Sequence, residues 1–219
     1  LLLDECTSAL DEATEEKVLQ RLRALPDRTC IAVTHRPAAL KLCSWRLEVE
    51  NGKVSRVKVD MGTPELNPRN IPVDLPGEAV LRHRLQIMGQ THYITCVNMG
   101  NPHAVLFVRD PEVMDLPTIG PMIEHHPLFP RRTNVEFVRV IDRSILQMRV
   151  WERGTGETLA CGTGACAALV AAVLTGQSDR SVQMKLTGGN LQLHWNAEDN
   201  HVYQTGPATF VYDGEWLGD

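Results

Sequence analysis

The sequence predicts an α+β fold: a curved, mostly antiparallel sheet wrapped around a central helix, with a partial α/β fragment at the N-terminus. Three observations carry that expectation. From residue 58 onward, strand-like segments separated by turn signals dominate. Among them Ala165 to Leu174 is apolar nearly all round and of helical length, so it belongs in an interior. Residues 1–57 read differently, as two buried-type strands about an amphipathic helix. The expected organisation is a fragment over 1–57 followed by one domain over 58–219.

Taken in order, Leu1-Leu2-Leu3-Asp4-Glu5 is an apolar strand ending in two carboxylates. Glu12 to Leu25 has helical spacing, with Val18, Leu19, Leu22 and Leu25 on one face, and Pro26-Asp27 breaks it. Thr29 to Thr34 is a second buried-type strand, ending at His35. Glu48 to Val54 reads as a hairpin about Asn51-Gly52. Val80 to Met88 and Thr91 to Met99 flank Gly89-Gln90 as another hairpin, and Ala104 to Val108 is a short strand. Pro117 to Glu124 is a short helix with proline near its start. Asn134 to Ile141 and Ile145 to Glu152 are strands around Asp142-Arg143-Ser144. The central helix follows, each of its Val and Leu side chains contributing about 1.5–3 kcal/mol when fully buried. Ser181 to Leu186, Leu191 to Trp195, His201 to Thr205 and Thr209 to Tyr212 complete the strands. No internal repeat is visible, which fits one domain.

Composition narrows the function classes. The 219 residues are 43% hydrophobic, with a formal net charge of -5 and no Lys/Arg-rich run, so nucleic acid is not an expected partner. No apolar run has the length of a membrane span. Leu1-Leu2-Leu3 meets Asp4-Glu5 at once, so no signal peptide is expected, and an opening residue already inside a strand pattern suggests a fragment. The 6 cysteines show no CxxC pair and no clustering with histidine. No metal site is expected, and reduced thiols in the cytoplasm fit best.

The richest run is Trp151 to Ala168. It carries Glu152 and Arg153, read as an ion pair, and then Cys161 in a glycine-rich turn before the apolar helix. A helix N-terminus offers free N–H groups and the positive end of a dipole. A thiol there is expected to have a lowered pKa, and the same N–H groups can hold a carboxylate. The plainer alternative is an inert buried cysteine in a common loop.

Val150-Trp151-Glu152-Arg153-Gly154 and Thr158-Leu159-Ala160-Cys161-Gly162-Thr163-Gly164 together resemble an active-site motif of diaminopimelate epimerases. Three further stretches resemble that family in the same order. They are Met99 to Val105, Ile123 to Pro130, and Arg132-Thr133-Asn134-Val135-Glu136-Phe137-Val138. Asp60 to Pro64 resembles an internal strand of such an enzyme.

The resemblance implies two similar domains, each a curved sheet around a helix, of which this chain is one. It implies conversion of LL- to meso-diaminopimelate by two cysteines, without pyridoxal phosphate or other cofactor, in a cytoplasmic enzyme that is usually homodimeric. Cys161 matches one of the two thiols. Asn101, Asn134, Glu152 and Arg153 match substrate-binding residues, and Gly162 and Thr163 match the cradle of the α-carboxylate. His103 and Glu152 match residues that tune the thiols. Asn101, before Pro102, also reads as a turn residue, and a lone histidine such as His103 is as readily structural. The other thiol should precede Gly-Asn, and only Cys161 among the 6 cysteines precedes glycine. The chain is therefore expected to lack that thiol and its domain, and to be impaired in turnover. Related racemases are a weaker alternative.

Residues 1–57 resemble the C-terminal part of an ATP-binding-cassette ATPase. Asp4 matches the Mg²⁺-holding Walker B aspartate and Glu5 the water-polarising glutamate. Asp11 closes the D-loop match, and His35 matches the switch histidine. No Gly-x-x-x-x-Gly-Lys-Ser/Thr loop is present to cradle phosphates. The expectation is an inactive relic, with a transporter ATP-binding subunit or a non-functional fusion as alternatives.

Overall fold

The computed structural model describes residues 2–4, 10–24, 31–34, 38, 43–50 and 53–209. The chain divides into two compact units, Leu1–Arg46 and Leu47–Asp219.

In the first unit β1 (Leu2–Asp4) pairs in parallel with β2 (Ile31–Val33). Between them lies helix α1 (Glu12–Arg23). Asp11 is its N-cap: its carboxylate accepts from the Thr14 N–H at 2.9 Å and from the Thr14 hydroxyl at 2.7 Å. That satisfies one of the orphan donors of the first turn, and it draws the Asp11 carboxyl below its ordinary value. Glu5, His35 and the side chain of Asp4 lie outside the described residues.

The large sheet has 11 strands. They are β3 (Trp45–Glu50), β4 (Lys53–Asp60), β5 (His83–Ile87), β6 (Gln90–Asn98), β7 (Pro102–Phe107), β8 (Asn134–Asp142), β9 (Ile145–Glu152), β10 (Gly156–Thr158), β11 (Ser181–Leu186), β12 (Gly189–Trp195) and β13 (Val202–Pro207). Their spatial order is β3-β4-β13-β12-β11-β9-β8-β7-β6-β5, with β10 added on β9. The pairing is mostly antiparallel; β7 with β8 and β9 with β11 are parallel. Among the described residues two α-helices accompany the sheet, α2 (Leu116–Glu124) and α3 (Gly162–Leu174).

The curl of the sheet follows from what α3 touches. It packs against β6, β7 and β8 and also against β12 and β13. In a flat sheet β6 and β13, six places apart in that order, would stand about 29 Å from each other, far wider than a helix of about 10–12 Å. The strands must therefore close around the helix. Residues 164–172 of α3 are all buried, which is what a helix apolar on every side requires.

The expectation of a single central helix is incomplete. A second apolar core, with Ile94, Ala104, Leu106, Val135 and Phe137 from the sheet, gathers Leu116, Ile119 and Ile123 of α2. Alternate residues of the same strands, Val97, Val105 and Val138, face the core around α3. The middle strands are thus covered on both faces, which explains their nearly continuous apolar runs.

Three local expectations also change. The β5–β6 turn is centred on Met88-Gly89, both with positive φ (52° and 74°), not on Gly89-Gln90. Asp60 to Pro64 is not a strand: β4 ends at Asp60, whose Oδ1 accepts from the Gly62 N–H at 2.9 Å while Gly62 takes φ +78°, turning the chain out of the sheet. The last strand ends at Pro207, Thr209 is not in a strand, and 210–212 lie outside the described residues, as does Asn51-Gly52.

Candidate active site

Cys161 is the N-cap of α3, with extended backbone (φ -134°, ψ 111°), and its carbonyl accepts the Ala165 N–H at 2.9 Å. It is 7% exposed, and its Sγ lies 3.6 Å from the Thr163 hydroxyl. Thiol, Gly162 and Thr163 thus share the first turn of a buried helix, where free N–H groups converge.

The expected lowering of the Cys161 pKa is corrected by its surroundings. Burial pushes the thiol up, and a negative charge on Glu136 or Glu152 would add to that; the Thr163 hydroxyl and Gly164 N–H oppose it. These surroundings favour the protonated thiol. Helix-terminus electrostatics lose here to desolvation.

Beneath the helix start lies a buried polar chain. His103 on β7 and Asn134 on β8 are register partners. Alternation then places His103, Asn134 and Glu136 on the face that carries Val105 and Val138, toward α3. Glu136 Oε1 lies 2.6 Å from His103 Nδ1, and His103 Nε2 lies 2.8 Å from Asn101 Oδ1. Glu136 and His103 are fully buried, and Glu136 Oε2 makes no hydrogen bond among the described residues. Burial pushes the Glu136 carboxyl up, against the opposing pull of His103. Gly164 makes the close approach feasible: a β-carbon there would stand 2.7 Å from Glu136 Oε1 and 3.3 Å from Cys161 Sγ.

Asn134 is committed internally on both ends of its amide. Its Nδ2 donates to the Pro102 carbonyl at 2.8 Å, and its Oδ1 accepts the Arg153 N–H at 2.8 Å. It ties the starts of β7 and β8 to the end of β9.

Glu152 and Arg153 do not form the expected ion pair. Glu152 Oε1 accepts the Thr158 hydroxyl at 2.5 Å, whereas the Arg153 guanidinium donates to the Arg131 carbonyl at 3.2 Å. Neighbours at a strand end project in opposite directions, which separates them.

Sequence reasoning singled out neither Glu124 nor Gln204. Glu124, buried at the end of α2, accepts from Trp151 Nε1 at 2.7 Å and from the Gly154 N–H at 2.9 Å, fixing the turn that follows Glu152 and Arg153. Gln204 of β13 lies beside the first turn of α3, where a β-carbon on Gly162 would stand 3.1 Å from its Oε1. Glu136 lies within one of the stretches that resemble the family. The signal for it was a carboxylate alternating with apolar residues in a strand otherwise fit for burial. No cluster of His, Cys, Asp and Glu suited to a metal occurs among the described residues.

Two solved structures share much of this fold. A probable proline racemase from Agrobacterium radiobacter K84, with bound carbonate, superposes with a TM-score of 0.56 at 13% identity, over 80% of this chain and 57% of that one. A hydroxyproline epimerase from Agrobacterium vitis, with bound trans-4-hydroxy-L-proline, gives a TM-score of 0.53 at 15% identity, over 76% and 53%. The likeness is one of fold. Sequence supplies the family: the diaminopimelate epimerase profile matches residues 95–211. The diaminopimelate epimerase of Acetivibrio thermocellus is 57% identical over 169 residues, 77% of this chain and 60% of that protein. That of Moorella thermoacetica is 55% identical over 171 residues, 78% and 61%. The chain belongs to the diaminopimelate epimerase family, and it spans about 60% of the length of these curated relatives.

Proposed function

We propose that this chain supplies one face of a cofactor-independent inversion at an α-carbon of diaminopimelate, with Cys161 as the acid–base group. The observation that carries this reading is the position of Cys161: a buried thiol at the N-cap of α3, beside the N–H groups of Gly162 and Thr163. Those N–H groups suit an α-carboxylate. The proton held on Cys161 suits delivery to the carbanion after a base on the opposite face has removed the original one. In the reverse direction Cys161, as thiolate, takes that proton. Each acid–base group is worth about 10²–10⁴-fold in such a reaction.

Asn101 offers an amide, and Arg153 a charge at the rim, for the groups around the α-carbon. Asn134 serves by fixing the Arg153 backbone. Glu152 and His103 tune the site, and the cage closes against an N-terminal epimerase domain. The active assembly is a cytoplasmic homodimer in this reading. In this reading residues 1–57 are an ATP-binding-cassette ATPase tail and the epimerase-like sequence starts at 58, within β4, although β3 and β4 both belong to the large sheet and the compact units divide at Arg46/Leu47. Asp11 then serves as a helix cap, and Asp4, Glu5 and His35 are left from a nucleotide site.

The test is chiral chromatography of diaminopimelate. These 219 residues contain one Cys-Gly turn, so alone they convert no LL isomer. An N-terminal epimerase domain added in trans restores conversion, and Cys161→Ala abolishes it. Conversion that persists in Cys161→Ala would sink the assignment.

A further inference from the structure

Both ring nitrogens of His103 face an oxygen: Nδ1 meets Glu136 Oε1 at 2.6 Å, and Nε2 meets Asn101 Oδ1 at 2.8 Å. An amide oxygen only accepts, so Nε2 carries a proton. The contact at Nδ1 needs one more proton, on either the ring or the carboxyl. If it sits on the ring, an imidazolium faces a carboxylate whose Oε2 is buried without a hydrogen-bond partner among the described residues. Leaving half of a buried carboxylate unpaired is the costly choice; the lone carbonyl oxygen of a neutral acid is far cheaper. The neighbours of Glu136 favour the neutral form too. Glu152 at the end of β9 and the Cys161 thiol on α3 lie on the same side as its carboxyl, and among the described residues His103 is the one neighbour that could balance a negative charge there.

We propose that Glu136 is a protonated carboxylic acid that donates to His103 Nδ1, fixes the ring as the Nε2–H tautomer, and thereby turns the Asn101 amide so that its Nδ2 is the group offered to a ligand. Glu136 is a positioning residue: it touches no reacting atom and acts through His103 on Asn101. Its neutrality also keeps a second negative charge from facing Cys161 when that thiol gives up its proton. The proposal rests on the reading of Cys161 as the acid–base group only for its catalytic meaning. The protonation pattern stands or falls without turnover.

The experiment is ¹⁵N-histidine NMR on the full chain, with the His103 signals assigned through His103→Gln. The expected spectrum is a neutral ring protonated at Nε2. Two protonated ring nitrogens, or a proton on Nδ1 alone, would overturn the proposal. Glu136→Gln, whose amide N–H can replace the acid proton, keeps the same tautomer, whereas Glu136→Met, with no donor, loses it. As a second readout, the Cys161 alkylation rate at pH 7 in Glu136→Gln stays within about twofold of wild type. A rise of about tenfold, the equivalent of one pKa unit, would mean that a carboxylate charge had been removed and would refute the neutral acid. Should the variants fail to fold, the wild-type spectrum alone decides.

Discussion

Gly164 of α3 sits directly over Glu136 of β8, so close that a β-carbon on the glycine would stand 2.7 Å from the Glu136 Oε1. The helix start, the thiol and the buried acid can share one small volume only because that residue has no side chain.

Gly164→Ala is therefore expected to destabilise the protein. Helix propensity alone favours alanine by about 1 kcal/mol. Against it, the carboxyl is pinned by His103 and cannot swing into solvent, so overpacking of about 1–3 kcal/mol wins. Urea denaturation measures the balance. A midpoint equal to or above wild type would mean that the helix start yields freely.

The thiols should separate by burial. Cys43 is exposed, Cys161 nearly buried, and Cys96 and Cys166 fully so. Burial pushes Cys166 up to about 12, and Cys96 still further up. Among these four, iodoacetamide mapped by mass spectrometry at neutral pH should label Cys43 first, Cys161 more slowly, and the other two only on unfolding. Cys161 labelled ahead of Cys43 would restore the activated thiol that helix-terminus reasoning alone suggests.

The outline of the fold was legible because its signals are local. Ile145 to Glu152 and Ser181 to Leu186 show their strands by alternation, and Ala165 to Leu174 shows its burial by lacking any polar face. Cys161 was legible because a glycine-rich turn before such a helix leaves few alternatives. What stayed hidden depends on long-range neighbours. The pKa of Cys161 turns on burial that no spacing encodes. The separate partners of Glu152 and Arg153 follow from strand ends meeting Thr158 and Arg131. The second core beneath α2 was hidden too, because Leu116 to Glu124 is short and gives no sign of which sheet face it covers.

Asn134 offers a test of the tie between strand ends. Alanine there would strand the Pro102 carbonyl and the Arg153 N–H, at a cost of about 1–3 kcal/mol for each buried group left unpaired. Asn134→Asp keeps an acceptor for the Arg153 N–H but turns the other oxygen toward the Pro102 carbonyl. Both variants should melt below wild type, and hydrogen exchange at Arg153 should rise in the alanine variant alone. Equal protection of that N–H in both would show that the backbone holds itself.

Glu136 gives a pH dependence with a definite sign. Its carboxyl is raised by burial above the ordinary 4.5 that it regains on unfolding. Between those two values the folded chain holds a proton that the unfolded chain has released. This contribution to stability is complete below about 4.5 and is lost as pH rises through the folded value. His92 and His126, lowered by burial, act in the opposite sense, costing stability as pH falls below their ordinary 6.5. The total profile therefore mixes both slopes, and the difference between wild type and Glu136→Gln isolates one. Chemical denaturation from pH 5 to 8 should show wild type losing stability relative to the glutamine variant as pH rises. A difference that stays flat, or grows in favour of wild type, would mean that Glu136 is already ionised at the acid end and that its charge is balanced within the site.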